Sequence, residues 1–173
     1  MAEDIARILE RIGYSYFKLE STIKIDGLIT NIIIEHEPRF IKAIPFVIYL
    51  SEKKEGILFD IDELLRLAKE KNISEQVKAI LFVTAKIVRI TDDQNKLLPE
   101  LNKIFSRSDE NILDSIFYSQ DYKQFNKKIK VADNKLVQYK KKIAEIYFNF
   151  DEFLYEFISQ KTLLQAKIGR AHV

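Results

Sequence analysis

The longest regular pattern of apolar positions in this chain runs from Phe125 to Phe157. Apolar or aromatic residues recur there at alternating spacings of four and three: Phe125, Ile129, Ala132, Leu136, Tyr139, Ile143, Ile146, Phe150, Phe153, Phe157. This spacing is typical of a helix with an apolar seam along one side. Neither glycine nor proline occurs between Pro99 and Gly169. The pattern predicts one long helix over residues 122–158, or two helices meeting near Phe148.

Shorter apolar stripes predict a helical core in residues 1–120. The stripe of residues 74–90 covers most of the helix circumference, which is typical of a buried helix, so we place this helix at the centre of the core. Residues with side chains suited to N-terminal capping predict where helices begin: Asp60 (with Glu63), Ser74, Thr91 (with Gln94) and Ser108. The predicted fold class is all-α, an irregular bundle of about seven helices with the long helix laid across the central one.

Residues 15–35 allow two interpretations. Polar and apolar residues alternate from Phe17 to Ile25, and Asp26-Gly27 is a favourable hairpin turn, so an N-terminal β-hairpin with a second strand over 28–35 would give an α+β fold. The competing helical spacing is carried by Leu28, Ile29, Ile32 and Ile33. We favour helices over 28–50, and the hairpin is the alternative.

Two prolines are predicted to shape that helical segment. Pro38 suits the first position of a helix, where its missing N–H costs nothing. Pro45 is expected to kink the following helix or to end its first part.

Length and composition limit the number of domains and the kinds of site that this chain can form. At 173 residues the chain forms one domain or two small ones, and we divide it into a core of residues 1–120 and a C-terminal helix of residues 121–167. The absence of cysteine excludes disulfides, thiolate zinc sites and a cysteine nucleophile, and it fits a reducing cytoplasm. No secretory pattern or membrane-length apolar run is seen, so we expect a cytoplasmic protein with no membrane partner.

Few residues in the sequence suggest catalysis or the binding of a phosphate or a metal. Four scattered glycines cannot build a phosphate-binding loop. Glu35-His36-Glu37 is interpreted as a polar turn, because neighbouring side chains cannot converge on a metal. The acidic runs at 60–63 and 92–93 are interpreted as helix N-terminal charge. We therefore predict no catalytic residue, no cofactor and no metal.

The feature with a functional interpretation is a lysine-rich face on the long helix. Its members are Lys123, Lys127, Lys128, Lys130, Lys135, Lys140, Lys141 and Lys142. A solvated basic face, contact with nucleic acid phosphates and contact with an acidic protein partner all remain open. In a parallel homodimer Lys135 would face Lys140 of the second copy and repel it, so the apolar seam is expected to pack inside the molecule or against an acidic partner.

Residues 168–173 match the translation of a common sequencing adapter. We expect the native sequence to depart from this one after Lys167 and to continue. The function predicted is a non-catalytic interaction or regulatory module with an unidentified protein partner. The alternatives are a nucleic-acid-binding protein that uses residues 122–142, and an enzyme with its active site beyond Lys167.

Overall fold

The computed structural model describes Arg7 and residues 22–117, 141–143 and 150–171. Within these ranges the chain is mostly helical, and the predicted helical bundle is confirmed. The elements in chain order are β1 (Ile23–Lys24), α1 (Ile25–Glu35), α2 (Pro38–Ile41), α3 (Ile44–Lys53), β2 (Ile57–Leu58), α4 (Ile61–Glu70), α5 (Ser74–Thr91), α6 (Leu97–Asn102), α7 (Arg107–Phe117) and α8 (Phe150–Ala171). Residues 141–143 are also helical.

The β-hairpin alternative is wrong for the described residues. Asp26 and Gly27 lie in the first turn of α1 instead of in a hairpin turn. Short strand β1 pairs in parallel with β2, with Ile23 opposite Ile57. Helical spacing prevails after Lys24 because it buries one side of α1 in the core, including Ile25, Ile29, Ile32 and Ile33.

The two prolines act as predicted. Pro38 occupies the first turn of α2, and Pro45 occupies the first turn of α3. In that position proline needs no N–H partner, so each proline begins a helix without loss of a hydrogen bond. The predicted segment 38–50 is consequently divided into two helices that meet at residues 42–43.

Helix α5 lies at the centre of the core, as predicted. It packs against α1, α3, α4, α6 and α8. Its buried residues cover nearly its whole circumference, and even Thr84 is fully buried, with its hydroxyl donating to the Ile80 carbonyl at 2.8 Å. Helix α5 begins at Ser74, but Ile73 holds the capping position that we predicted for Ser74.

The segment after α5 departs from the prediction. Thr91 is the last residue of α5 and Asp92 caps its C-terminal end, so neither begins a helix. The next helix, α6, is preceded by Asn95, whose side-chain oxygen accepts a hydrogen bond from the Leu97 N–H at 2.9 Å. Thr and Asp occur at both ends of helices, and their side-chain chemistry alone does not distinguish an N-terminal cap from a C-terminal one.

Helix α7 begins with a reciprocal cap two residues earlier than predicted. The Ser106 hydroxyl accepts from the Asp109 N–H at 3.0 Å, and the Asp109 carboxylate accepts from the Ser106 N–H at 3.3 Å. This arrangement is a capping box with aspartate in the acidic position. Ser106, instead of the predicted Ser108, therefore caps the helix.

Candidate functional site

Helix α8 is the element on which a functional surface can be built, because its two sides have different environments. Its inner side carries Phe153 and Phe157, both essentially fully buried. The Phe157 ring meets the rings of Phe46 and Tyr49 edge to face, at centroid distances of 5.6 and 5.1 Å. Such aromatic pairs contribute about 0.5–1.5 kcal/mol beyond the burial of their area. This part of the predicted apolar seam thus packs inside the molecule, as expected.

A cluster of polar contacts lies beside these aromatic rings. The Lys161 ammonium donates to the Thr91 carbonyl at 2.9 Å, and Lys53 forms an ion pair with Asp92 at 3.4 Å. Both lysine nitrogens also lie over the Tyr49 ring, at 5.4 Å for Lys53 and 5.5 Å for Lys161. The C-terminal end of a helix carries partial negative charge, so a cation placed there is stabilised. Lys161 therefore attaches α8 to the end of α5.

Two ionisable groups of this cluster, Tyr49 and Asp92, have shifted pKa values. Burial raises the pKa of Tyr49. The pKa of Asp92 is lowered, first by the hydrogen bond from the Asn95 amide and then by the charge of Lys53. Tyr49 is consequently a neutral phenol and Asp92 a carboxylate. The arrangement orients α8 by electrostatic and cation–π contacts.

The outer side of α8 carries three large exposed apolar residues, beside the exposed acids Asp151 and Glu152 at its N-terminal end. Tyr155 is 75% exposed, Leu163 50% and Ile158 46%. Thr162 and Ala166 are exposed on the same helix. Residues seven and eleven apart are close to two and three full helical turns apart, so Tyr155, Thr162 and Ala166 project in nearly the same direction. Isolated exposed apolar residues are ordinary, but a stripe of them on one helix side is typical of an interaction surface.

The structure describes two of the eight candidate lysines. Lys141 is exposed and Lys142 is half-buried, while the adjacent Ile143 is fully buried. This gradient of exposure agrees with the predicted seam, with lysine outside and isoleucine inside. The remaining candidates lie outside the described residues: Lys123, Lys127, Lys128, Lys130, Lys135 and Lys140.

The Glu35-His36-Glu37 segment forms a turn, as predicted. His36 ends α1 in the left-handed conformation, with φ 55° and ψ 30°. Glu37 binds the Arg39 guanidinium at 2.9 Å. Over the ranges that the structure describes, no group of three or more histidine or acidic side chains is placed to hold a metal ion.

A buried acid that sequence reasoning missed supports the first turn of α4. Asp60 caps this helix as predicted, accepting hydrogen bonds from the N–H groups of Asp62 and Glu63 at 3.0 and 3.3 Å. In a capping box the Glu63 side chain would bind the Asp60 N–H, but it binds Arg66 instead, and the Asp60 N–H donates to the Asp26 carboxylate at 2.9 Å. Asp26 is 4% exposed, and burial raises its pKa.

In residues 22–117, 141–143 and 150–171, no helix combines the length and apolarity that crossing a bilayer requires. No protein-family profile, curated protein or solved structure matches the chain.

Proposed function

We propose that this protein is a non-catalytic interaction module whose partner-binding surface is the outer side of α8. The observation that carries the proposal is the contrast between the two sides of that helix. Phe157 holds one side in the core, whereas Tyr155, Ile158 and Leu163 present apolar area to solvent on the other. Aromatic residues on exposed, rigid surfaces are the residues that most often contribute strongly to protein–protein binding.

The attachment of α8 favours this role. A binding surface on a helix that is already ordered loses little conformational entropy when the partner docks. The aromatic contacts of Phe157 and the Lys161–Thr91 hydrogen bond supply that order before binding. Tyr155 is therefore presented on a fixed support.

Photo-crosslinking in the cells that express the protein tests the proposal. A photoreactive phenylalanine analogue placed at Tyr155 is expected to form a covalent adduct with another protein molecule. The matched control places the same analogue at Lys69, an exposed position on α4. Equal labelling at both positions, or no adduct at Tyr155, would contradict the proposal.

A second candidate function is nucleic-acid binding through the lysine-rich residues 122–142. The observation that favours it is the exposure of Lys141 on a helical segment whose neighbour Ile143 is buried. Lysines held outward in this way can neutralise phosphates, and such binding weakens steeply as salt rises.

Binding of the chain to labelled single- and double-stranded DNA and RNA at several salt concentrations tests this candidate. Replacement of Lys127, Lys128, Lys140 and Lys141 by glutamate is expected to abolish binding. If the lysines instead serve stability, the same replacements will lower the melting temperature and there will be no binding to lose. Absence of binding even at low salt would refute the candidate.

A further inference from the structure

Asp26-Gly27 is the one place in the sequence where glycine follows an aspartate or an asparagine. Such a pair can react internally without an enzyme or a cofactor. Glycine has no side chain to hinder attack by its own amide nitrogen on the carboxyl carbon of the preceding aspartate. The structure places the pair in the first turn of α1, where N–H groups have no acceptor within the helix. The helix itself therefore does not bind the attacking amide.

The space beside Gly27 is open. A methyl group at this position would meet no packed neighbour within 4 Å. Packing therefore does not require glycine here, and alanine is the better helix former. The pair is consequently neither demanded by the helix nor covered by a neighbouring side chain at Gly27.

Two hydrogen bonds hold the pair in an unreactive geometry. The Asp26 carboxylate, 4% exposed, accepts the Asp60 N–H at 2.9 Å. The hydroxyl of the fully buried Thr30 donates to the Gly27 carbonyl at 2.8 Å. A helical backbone also turns each amide nitrogen away from the preceding side chain. Attack by the Gly27 nitrogen therefore requires the first turn of α1 to open and the Asp26–Asp60 hydrogen bond to break.

We propose that Asp26-Gly27 is a site of spontaneous isoaspartate formation, which the folded first turn of α1 closes and local opening of that turn exposes. In the open turn the Gly27 amide nitrogen attacks Cγ of Asp26. The N–Cγ bond forms, the amide proton and the carboxyl hydroxyl leave as water, and a succinimide ring remains. Water then adds to one of the two ring carbonyls, and the bond from that carbonyl to nitrogen breaks. Cleavage at Cγ restores aspartate, whereas cleavage at the backbone carbonyl gives isoaspartate.

Isoaspartate at residue 26 would separate α1 from α4 at this end. The backbone then passes through Cγ of residue 26 and is one carbon atom longer, so the first turn of α1 cannot regain its helical spacing. The carboxylate that accepted the Asp60 N–H becomes part of the main chain. The modified chain should therefore have a lower melting temperature than the parent chain.

The reaction is measured on the purified 173-residue chain, incubated near neutral pH either folded or in urea. Peptide mass spectrometry with electron-transfer fragmentation distinguishes isoaspartate from aspartate at residue 26. In water labelled with ¹⁸O, each ring opening places a solvent oxygen in that residue, which identifies the succinimide route. We expect the folded chain to react more slowly than the unfolded chain by a factor between about ten and a thousand, because helix ends open at a lower free energy than the whole fold.

Two threonine variants locate the opening. Thr30→Val removes the hydrogen bond to the Gly27 carbonyl with little change of shape, and it should raise the folded-state rate by about twofold to tenfold. The matched control, Thr84→Val, removes an equivalent 2.8 Å bond to the Ile80 carbonyl in α5. This control should leave the folded-state rate unchanged, and neither variant should change the rate in urea.

A third variant, Gly27→Ala, tests the chemistry. Its methyl group hinders the attacking nitrogen, so isoaspartate at residue 26 should be lost in both the folded and the urea-unfolded chain. Persistence of isoaspartate in Gly27→Ala, or absence of solvent oxygen at residue 26, would overturn the succinimide route.

The remaining outcomes test the local opening. Equal rates in the folded and unfolded chains would show that the fold does not close the site. A folded chain that reacts more than about a thousandfold more slowly, or not at all, would overturn the local opening, because that factor is typical of global unfolding. A rise in Thr84→Val as large as that in Thr30→Val would overturn it equally.

Discussion

Two substitutions of the buried residue Asp26, to asparagine and to alanine, are expected to change stability in opposite directions. The Asp26 carboxylate oxygen accepts a hydrogen bond from the Asp60 N–H at 2.9 Å and so supports the N-terminal cap of α4. Its charge, however, is desolvated and lies near the carboxylates of Asp60 and Glu63, and these effects raise its pKa. The hydrogen-bond acceptor therefore stabilises the fold, whereas the negative charge opposes it.

Asp26→Asn keeps the acceptor and removes the charge, so the free energy of unfolding at neutral pH should rise. Asp26→Ala removes both and leaves the Asp60 N–H without its acceptor, which should cost about 1–3 kcal/mol. Urea unfolding followed by circular dichroism measures both changes. Asp62→Asn, at an exposed acid in the same first turn, is the matched control and should change stability by at most about 1 kcal/mol.

The pH dependence of the free energy of unfolding shows whether the charge of Asp26 stabilises or destabilises the fold. Because the pKa of Asp26 in the folded state is above its ordinary value of 3.8, its proton stabilises the fold fully below that value and is lost as pH rises through the folded-state pKa. The advantage of Asp26→Asn should accordingly grow from acid toward neutral pH. A loss of stability in Asp26→Asn as large as that in Asp26→Ala would show that the charge itself is favourable and would refute this reasoning.

Three further predictions concern the attachment of α8 and the cap of α4, each measured by denaturant or thermal unfolding. Phe157→Ala should lower the free energy of unfolding by about 3–5 kcal/mol, because it empties a fully buried aromatic site. Tyr155→Ala, on the opposite side, should stay within about 0.5 kcal/mol of the parent. Equal losses would contradict the assignment of inner and outer sides. Asp60→Ala should cost about 0.5–2 kcal/mol through loss of the N-terminal cap, and an unchanged stability would show that Asp26 alone holds this turn. Asp92→Asn should cost less than about 1 kcal/mol at neutral pH. Because the pKa of Asp92 is lowered in the fold, the difference should begin to shrink below the ordinary aspartate value of 3.8 and vanish once the pH has fallen through the folded-state pKa. A difference that persists in still stronger acid would exclude the ion pair as its cause.

Sequence periodicity predicted which residues share a helix side, and it did so well where burial decides the structure. The seam positions Ile143, Phe153 and Phe157 are buried, and the stripe of residues 74–90 forms the central helix α5. Periodicity is informative there because residues on one side of a helix share one environment.

Apart from the misplaced caps at Ser74, Thr91 and Ser108, the failures concern contacts between residues distant in the chain. The Asp26–Asp60 hydrogen bond joins positions 34 residues apart, and the Lys161–Thr91 bond joins positions 70 residues apart. The hairpin alternative placed Asp26 in a turn because Asp-Gly is a strong local hairpin signal, but burial of α1 overrides this signal. The stripe of Tyr155, Ile158 and Leu163 was visible in the sequence as apolar residues off the seam, but its exposure became apparent only once the inner side was placed.

The two sides of α8 allow stability and the proposed partner binding to be tested separately on one helix. Phe157 and Tyr155 project in opposite directions, and their environments share no side-chain partner in the contacts described above. Substitutions at such positions are expected to act additively on stability. Under the proposed function, a change at Tyr155 should therefore alter partner binding without loosening α8, whereas a change at Phe157 should loosen the support and weaken binding through it. A surface that depends on the core for its order, and on which the core does not depend, is what an interaction module requires.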